Sequence, residues 1–131
     1  MIPFEELPSV VDPTKGYIIS SNNVIVSPSY KHFYSLGYWY AEGRNKRIEQ
    51  LLSSKIQYGH LLTSSDFINI LQDEVDVHCL DILPTMLDLT KSESLANTVE
   101  KLRNWDCNMG IYSEEALIYN AWIVEIASEL I

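Results

Sequence analysis

The chain has 131 residues, of which 47% are hydrophobic and 21% are charged. This length and composition suit a single globular domain with a modest core and exclude a disordered chain. The formal net charge of −9 argues against binding to nucleic acid or to anionic membrane surfaces, which select basic patches. No apolar run approaches the roughly 20 residues that a membrane span requires, and no signal peptide is recognisable at the N-terminus. We therefore expect no nucleic-acid or membrane partner.

The N-terminal part predicts extended structure. Residues 1–15 contain three prolines, which exclude a long helix, and the strand formers of residues 17–19 follow a turn signal. Asn22 and Asn23 then interrupt the run before a second β-branched segment at residues 24–26. The pair has two interpretations. It is a two-residue hairpin turn, since asparagine tolerates positive φ, or one amide donates a hydrogen bond to an oxyanion formed during acyl transfer.

An aromatic segment follows at residues 27–40, punctuated by Pro28 and Gly37. Aromatic side chains in an irregular segment either pack in a core or line a pocket for an apolar ligand, and core packing is the more common role. The segment has six such residues: Tyr30, Phe33, Tyr34, Tyr38, Trp39 and Tyr40.

The rest of the chain predicts helices. The spacing of Ile48, Leu51 and Leu52 predicts a helix over residues 43–53. Thr63 and Asp66 have the spacing of a capping box, which opens a second helix. The apolar face of that second helix is predicted to consist of Phe67, Ile68, Leu71 and Val75.

Three further helical segments follow. Pro84 lies among Leu80, Leu83 and Leu87, so we expect it to kink that helix or split it in two. Ser92 is a candidate cap for the next helix, which turns Leu95, Val99 and Leu102 inward. Ser113 is the candidate N-cap of the last helix, which is apolar on most sides and therefore calls for neighbours that bury it.

Other candidate sites are weak. Cys79 and Cys107 are one possible pair, but two cysteines do not form a disulfide framework, and we expect free, buried thiols. His32, His60 and His78 lack the spacing of metal ligands and are expected to be ordinary surface or core residues. Asp73, Glu74 and Asp76 are expected to be a solvated acidic cluster.

An ordered set of short segments resembles the penicillin acylase (penicillin amidase) family of N-terminal nucleophile hydrolases. The resemblance covers nearly the whole chain and implies a segment of the layered αββα fold of that family. We expect residues 1–131 to form one domain that is a fragment of a larger acylase. Residues 1–40 are expected to be an extended or strand segment with an aromatic loop, and residues 41–131 are expected to be helical. The fold class is thus mainly α with a short β-strand or hairpin near the N-terminus. The matching segments are Leu7-Pro8 to Pro13, Gly16 to Asn23, Tyr38-Trp39-Tyr40, Arg44 with Arg47 to Leu52, Leu83-Pro84 and Trp105-Asp106.

The resemblance implies two site residues. Asn22 matches the family asparagine whose side-chain amide donates to the oxyanion, and Arg44 matches an arginine that orders the site. Apart from the resemblance, Arg44 reads as a solvated arginine at a helix start. The family nucleophile is an N-terminal serine whose own α-amino group acts as the base. Because removal of Met1 would expose only Ile2, we expect the serine to lie outside this chain and the chain alone to be inactive.

The resemblance also implies a substrate and partners. The family hydrolyses a linear amide, such as the acyl side chain of a β-lactam or an acyl-homoserine lactone. The expected partners are the remainder of the acylase and this small acyl amide. Some members bind calcium through an acidic residue after the asparagine pair, but residues 27–33 contain no carboxylate, so we expect no calcium and no cofactor.

Two alternatives remain open. The chain could be a non-catalytic, mostly helical protein-interaction module on the same scaffold. It could also form a homodimer through an exposed strand edge at residues 16–26, because such edges invite pairing.

Overall fold

The computed structural model describes residues 2–27, 29–32, 42–57, 59 and 61–130. This part of the chain is mainly helical, as expected, and none of its helices is long and apolar enough to cross a membrane. Two short 3₁₀ turns, Phe4–Glu6 and Glu93–Leu95, accompany the α-helices. The α-helices are α1 (Gly43–Gln57), α2 (Ser64–Leu71), α3 (Val77–Leu89), α4 (Ala96–Arg103) and α5 (Glu114–Leu130).

The predicted N-terminal strand or hairpin is not confirmed. Residues 16–27 form no strand, and the β-bridge in the described part of the chain joins Val75 to Asn108 instead. A strand exists only when a second backbone pairs with it, and the described residues provide none for this segment. The sheet layers implied by the αββα resemblance are likewise not confirmed by the described residues. Local turn chemistry is still visible, because Asn22 has a positive φ of 63°.

Helix α1 begins where predicted and extends one turn further, to Gln57. Its first residue, Gly43, is buried against α3. A Cβ atom at Gly43 would lie 2.7 Å from Nε2 of His78, a distance that real contacts do not reach. The absence of a side chain at Gly43 therefore allows the start of α1 to approach the start of α3 closely.

The capping box of α2 is confirmed. The backbone N–H of Asp66 donates to Oγ1 of Thr63 at 3.3 Å, and the N–H of Thr63 donates to Oδ2 of Asp66 at 2.8 Å. The predicted apolar face of α2 is not buried, however, since Leu71 is 84% exposed and Phe67 is 50% exposed. A cap needs only its own residues, whereas a buried face needs a neighbour, and the described residues do not cover this one.

The core lies where α3, α4 and α5 meet. Helix α3 is continuous through Pro84, so of the two predicted alternatives, a kink or a split, the split is wrong. The proline ring is exposed while the opposite side of α3 is buried. Ser92 does not cap α4 with its side chain, but Ser113 caps α5 as predicted, accepting from Ala116 N–H at 3.1 Å. The buried residues of this core are Cys79, Leu83, Met86, Leu87, Leu102, Cys107 and Tyr119.

The expectation of free thiols is wrong, because Cys79 and Cys107 form a disulfide. Their Cα atoms are 5.8 Å apart, well within the usual range, and both side chains are buried. The fold brings them together across 28 positions. Beside the disulfide, Asp76 N–H donates to the Cys107 carbonyl at 3.0 Å, which joins the start of α3 to the loop before α5.

Helix α5 is buried on one side only. Ala116 and Tyr119 face the core, whereas Leu117, Val124 and Leu130 are 73%, 64% and 81% exposed. We predicted that neighbours bury this helix on most sides. Within the described residues, they bury one face only. The described residues do not cover its opposite face.

Candidate functional site

Asn22 and Arg44, separated by 22 positions, meet in the structure. Nη1 of Arg44 donates to Oδ1 of Asn22 at 3.2 Å. Because the guanidinium group has only donors, it fixes the amide with its oxygen toward Arg44. The Nδ2 atom then keeps its hydrogens, and within the described residues it has no hydrogen-bond partner. An oxyanion donor requires this orientation, although the catalytic role itself stays a prediction.

Asn23 plays a different part from its neighbour. Its Oδ1 accepts from Ser21 N–H at 3.0 Å, and its Nδ2 donates to the Val24 carbonyl at 3.1 Å. The amide of Asn23 thus holds the bend of the loop, and the positive φ of Asn22 lets the chain turn there. The hairpin interpretation of the pair is not confirmed, since residues 16–27 form no strand, and the oxyanion interpretation of Asn22 stays a prediction.

The segment that carries Asn22 is anchored on α1. Lys15 Nζ contacts Oε1 of Glu49 at 3.3 Å, and the Tyr17 hydroxyl donates to the same oxygen at 3.1 Å. Partial burial and the neighbouring Glu49 carboxylate both raise the pKa of Tyr17, so it remains a donor at neutral pH. Glu49 and Arg44 lie on the same helix. They fix residues 15–22 along α1 at two points and set the place of Asn22.

A cleft of about 610 Å³ opens beside Arg44. Helix α1 forms one wall, and the end of α2, residues 73–76 and the start of α3 form the others. The cleft is not predicted by the sequence. The helical spacing of Ile48 and Leu51 showed an apolar face, but only packing places that face opposite α2. Outside residues 73–76, most of the lining residues are apolar: Ile48, Leu51, Ile70, Leu71, Val77 and Met109. The others are Gly43, Arg44, Arg47 and His78.

One wall of the cleft carries a two-point ion pair. Nε and Nη2 of Arg47 donate to Oδ1 and Oδ2 of Asp73, each at 2.7 Å. This pair lowers the pKa of the Asp73 carboxyl, although burial acts in the opposite direction, and it raises the pKa of Arg47. Asp73 thus links α1 to the segment before α3 through its ion pair with Arg47. It does not belong to a freely solvated acidic cluster, and Asp76 caps α3 through His78 N–H at 2.9 Å.

We predict that Asp73→Asn lowers the free energy of unfolding by about 1 to 3 kcal/mol at pH 7, since it leaves a half-buried guanidinium unpaired. The folded-state pKa of Asp73 lies below its ordinary 3.8. Its contribution is therefore present above that value and is lost as the pH falls through the folded-state pKa. Denaturant unfolding of both chains at pH 7 and near pH 3 should show the difference shrinking with acidification.

The exposed pair of Arg103 with Asp88, at 3.2 Å, is the matched control. Both of its side chains are more than half exposed, so Asp88→Asn should cost only about 0 to 1 kcal/mol. Equal losses for Asp73→Asn and Asp88→Asn would contradict the role given to the buried pair.

The histidines do not form a metal site within the described residues, where no group of three potential ligands occurs. His32 contacts the Glu6 carboxylate, and His78 packs against Gly43. His60 and the aromatic residues 33–40, including the Tyr38-Trp39-Tyr40 match, lie outside the described residues. The expectation that these aromatics pack in a core or line a pocket thus stays a prediction.

Comparison with known proteins identifies the family. The family model described as penicillin amidase matches residues 1–131, which is the whole chain. No curated protein and no solved structure matches the chain significantly. The family match spans both Asn22 and Arg44, the two residues that the structure joins by a hydrogen bond. The chain belongs to the penicillin amidase family.

Proposed function

We propose that this chain is part of a penicillin-acylase-like amidohydrolase, in which Asn22 donates to the oxyanion and Arg44 orients Asn22. Membership of the family supports amide hydrolysis as the reaction class. The observation that carries the residue assignment is the hydrogen bond from Arg44 to the oxygen of the Asn22 amide. It leaves the N–H donors of that amide for a ligand.

In the proposed mechanism, the nucleophile is an N-terminal serine supplied outside this chain. The serine Oγ attacks the amide carbonyl carbon while its own α-amino group takes the hydroxyl proton. The carbonyl oxygen becomes an oxyanion, which accepts a hydrogen bond from Nδ2 of Asn22. Collapse of the tetrahedral intermediate expels the protonated amine, and water then hydrolyses the acyl-enzyme ester. Arg44 does not react but holds Oδ1 of Asn22 in place.

The proposed substrate is a linear amide between an acyl group and an amine. The acyl side chain of a β-lactam and an acyl-homoserine lactone are both of this type. The partner that completes the site is the remainder of the acylase, whose αββα framework is the proposed setting of this segment.

Two measurements test the proposal. The 131-residue chain alone should not release the chromophore from a chromogenic phenylacetyl amide, because the proposed serine nucleophile is supplied from outside it. The coding sequence upstream of Met1 should encode a serine preceded by a processing site, and expression of the longer frame should produce amidase activity. Serine-type hydrolysis by the isolated chain would contradict the assignment of the nucleophile to a segment outside these 131 residues. A longer frame without amidase activity would contradict the proposed function.

The second candidate is a non-catalytic interaction module on the same scaffold. The exposed apolar side chains of α5, including Leu117, Val124 and Leu130, favour a role in contact with another polypeptide. A stop codon upstream of Met1 would support this candidate. Light scattering at several concentrations would show whether the contact is a homodimer.

A further inference from the structure

We propose that Tyr17 and Glu49 are positioning residues of the oxyanion site, because their hydrogen bond sets the place of Asn22 along α1. The Tyr17 hydroxyl donates to Oε1 of Glu49 at 3.1 Å, and Nη1 of Arg44 donates to Oδ1 of Asn22 at 3.2 Å. We do not expect Tyr17 or Glu49 to touch the substrate. The reaction that they serve rests on the proposed amidohydrolase function, whereas the positioning itself is a property of this chain.

The two hydrogen bonds have the same spacing on both of the segments that they join. Tyr17 and Asn22 lie five positions apart, and so do Arg44 and Glu49, but the two runs pair in opposite directions. Five residues of helix correspond to a rise of about 7.5 Å, so the bonds hold the N-terminal segment at two separate points on α1. Two separate points fix both the position and the direction of a segment, whereas one point leaves it free to pivot.

Arg44 alone does not restrain Asn22 firmly. Both residues are exposed, and a single hydrogen bond between exposed side chains contributes little in competition with water. Residues 16–27 form no strand that would support Asn22 through a ladder of backbone hydrogen bonds. Within the described residues, the hydrogen bonds and ion pairs that join residues 15–27 to α1 end on Arg44 and Glu49. The contact at Glu49 is therefore the second restraint on the place of the Asn22 amide.

Tyr17, rather than Lys15, is the positioning partner of Glu49. Lys15 Nζ also contacts Oε1 of Glu49, at 3.3 Å, but the side chains of Lys15 and Glu49 are 48% and 45% exposed. An ion pair with such exposure contributes little, since water and salt screen it. The Tyr17 side chain is half-buried, and the Lys15 ammonium lies 4.8 Å from the centroid of its ring. Lys15 thus packs over Tyr17, while the rigid ring of Tyr17 carries its hydroxyl to Glu49.

Side-chain amide NMR on the 131-residue chain tests the positioning without any turnover. The heteronuclear NOE of Asn22 Nδ2 reports how firmly the amide is held, and the spectrum of Asn22→Ala identifies its signal. In Tyr17→Phe, which removes only the hydroxyl, this NOE should fall toward the value found in Arg44→Gln. Tyr112→Phe is the matched control, because Tyr112 is 94% exposed, and it should leave the NOE unchanged.

Two variants of Glu49 test the acceptor. Glu49→Gln keeps an oxygen for the Tyr17 hydroxyl and should retain the wild-type NOE, whereas Glu49→Ala removes the acceptor and should match Tyr17→Phe. The indole N–H of Trp105, which donates to the Asn108 carbonyl at 3.2 Å, verifies that the helical part of each variant is folded. Should Tyr17→Phe lose the Trp105 signal, Glu49→Ala carries the same test.

Kinetics in the assembled amidase test the link to catalysis. Tyr17→Phe should lower kcat about tenfold and change KM by no more than about twofold, since a misplaced oxyanion donor weakens transition-state stabilisation more than substrate binding. In an Asn22→Ala background, Tyr17→Phe should cause no further loss, because a positioning residue acts only through the group that it places. Additive losses in kcat would overturn the role of Tyr17 in placing Asn22.

The outcomes separate this inference from the proposed function. An Asn22 amide that is as ordered in Tyr17→Phe and Glu49→Ala as in the wild-type chain would overturn the positioning, whatever the amidase assay shows. Loss of order in Glu49→Gln would overturn the part given to the Tyr17 hydroxyl, since that variant keeps its acceptor. A lower NOE in Tyr17→Phe would support the positioning even if the longer frame has no amidase activity, in which case the proposed function alone fails.

Discussion

Replacing Asn22 with alanine is expected to lower kcat for amide hydrolysis by about 100- to 1,000-fold in the assembled amidase, with a much smaller change in KM. Loss of one oxyanion donor has this effect in acyl-transfer enzymes, because the donor acts mainly when charge develops on the carbonyl oxygen. The Asn22 side chain is exposed and hydrogen-bonds to Arg44 alone among the described residues, so Asn22→Ala should cost only about 1 kcal/mol of stability, which arises from alanine at a φ of 63°. Steady-state kinetics with a chromogenic acyl amide measures the change.

Two variants serve as comparison for Asn22→Ala. Asn22→Asp keeps an oxygen for Arg44 but removes the N–H donor, so it should be at least as inactive. Asn97→Ala, at an exposed position of α4 distant in sequence from the site, should retain the wild-type kcat. A wild-type kcat in Asn22→Asp would show that Asn22 is not the oxyanion donor.

Removal of the disulfide is expected to lower the free energy of unfolding by about 3 to 4 kcal/mol. The bond links positions 28 apart. In the chain-entropy description, its loss raises the conformational entropy of the unfolded chain enough to account for this change in stability. Cys79→Ala and treatment with a thiol reductant should both move the midpoint of denaturant unfolding down. Oxidised and reduced chains that unfold at the same denaturant concentration would contradict this expectation.

Cys107→Gly separates the loss of the disulfide from the conformational cost of a side chain at position 107. Cys107 has a φ of 60°, a left-handed conformation that glycine adopts without steric cost. We therefore expect Cys107→Gly to be about 1 kcal/mol more stable than Cys107→Ala, since the alanine keeps the unfavourable Cβ. Equal stability of the two variants would contradict a conformational cost at this site.

Features that depend on a few neighbouring residues were predictable. The capping box of Thr63 with Asp66 and the cap at Ser113 both appear as expected, because each needs only side chains within one helical turn. The start of α1 at Gly43 also follows from local spacing. The same local rules placed the turn at Asn22, whose φ is positive.

Features that depend on a distant partner were not predictable in this way. Residues 16–27 have strand propensity but no second strand in the described part of the chain, and so they form no sheet. The thiols of Cys79 and Cys107 are bonded because α3 and the loop before α5 converge. The sequence predicts which side of α2 is apolar, but the packing of neighbouring elements determines whether that side is buried.

The sequence by itself determined the family, the mainly helical character of the described residues from Gly43 onward, and the choice of Asn22 and Arg44 as site candidates, since these follow from residue type and order. Only the tertiary structure decided that Arg44 holds the oxygen of Asn22, that the Asn23 side chain bonds to the loop backbone, and that a largely apolar cleft opens beside Arg44. The physical reason is the distance along the chain over which each kind of interaction acts. Backbone propensities and caps act within one turn of chain, but a site of two residues 22 positions apart exists only after α1 and the N-terminal segment pack together.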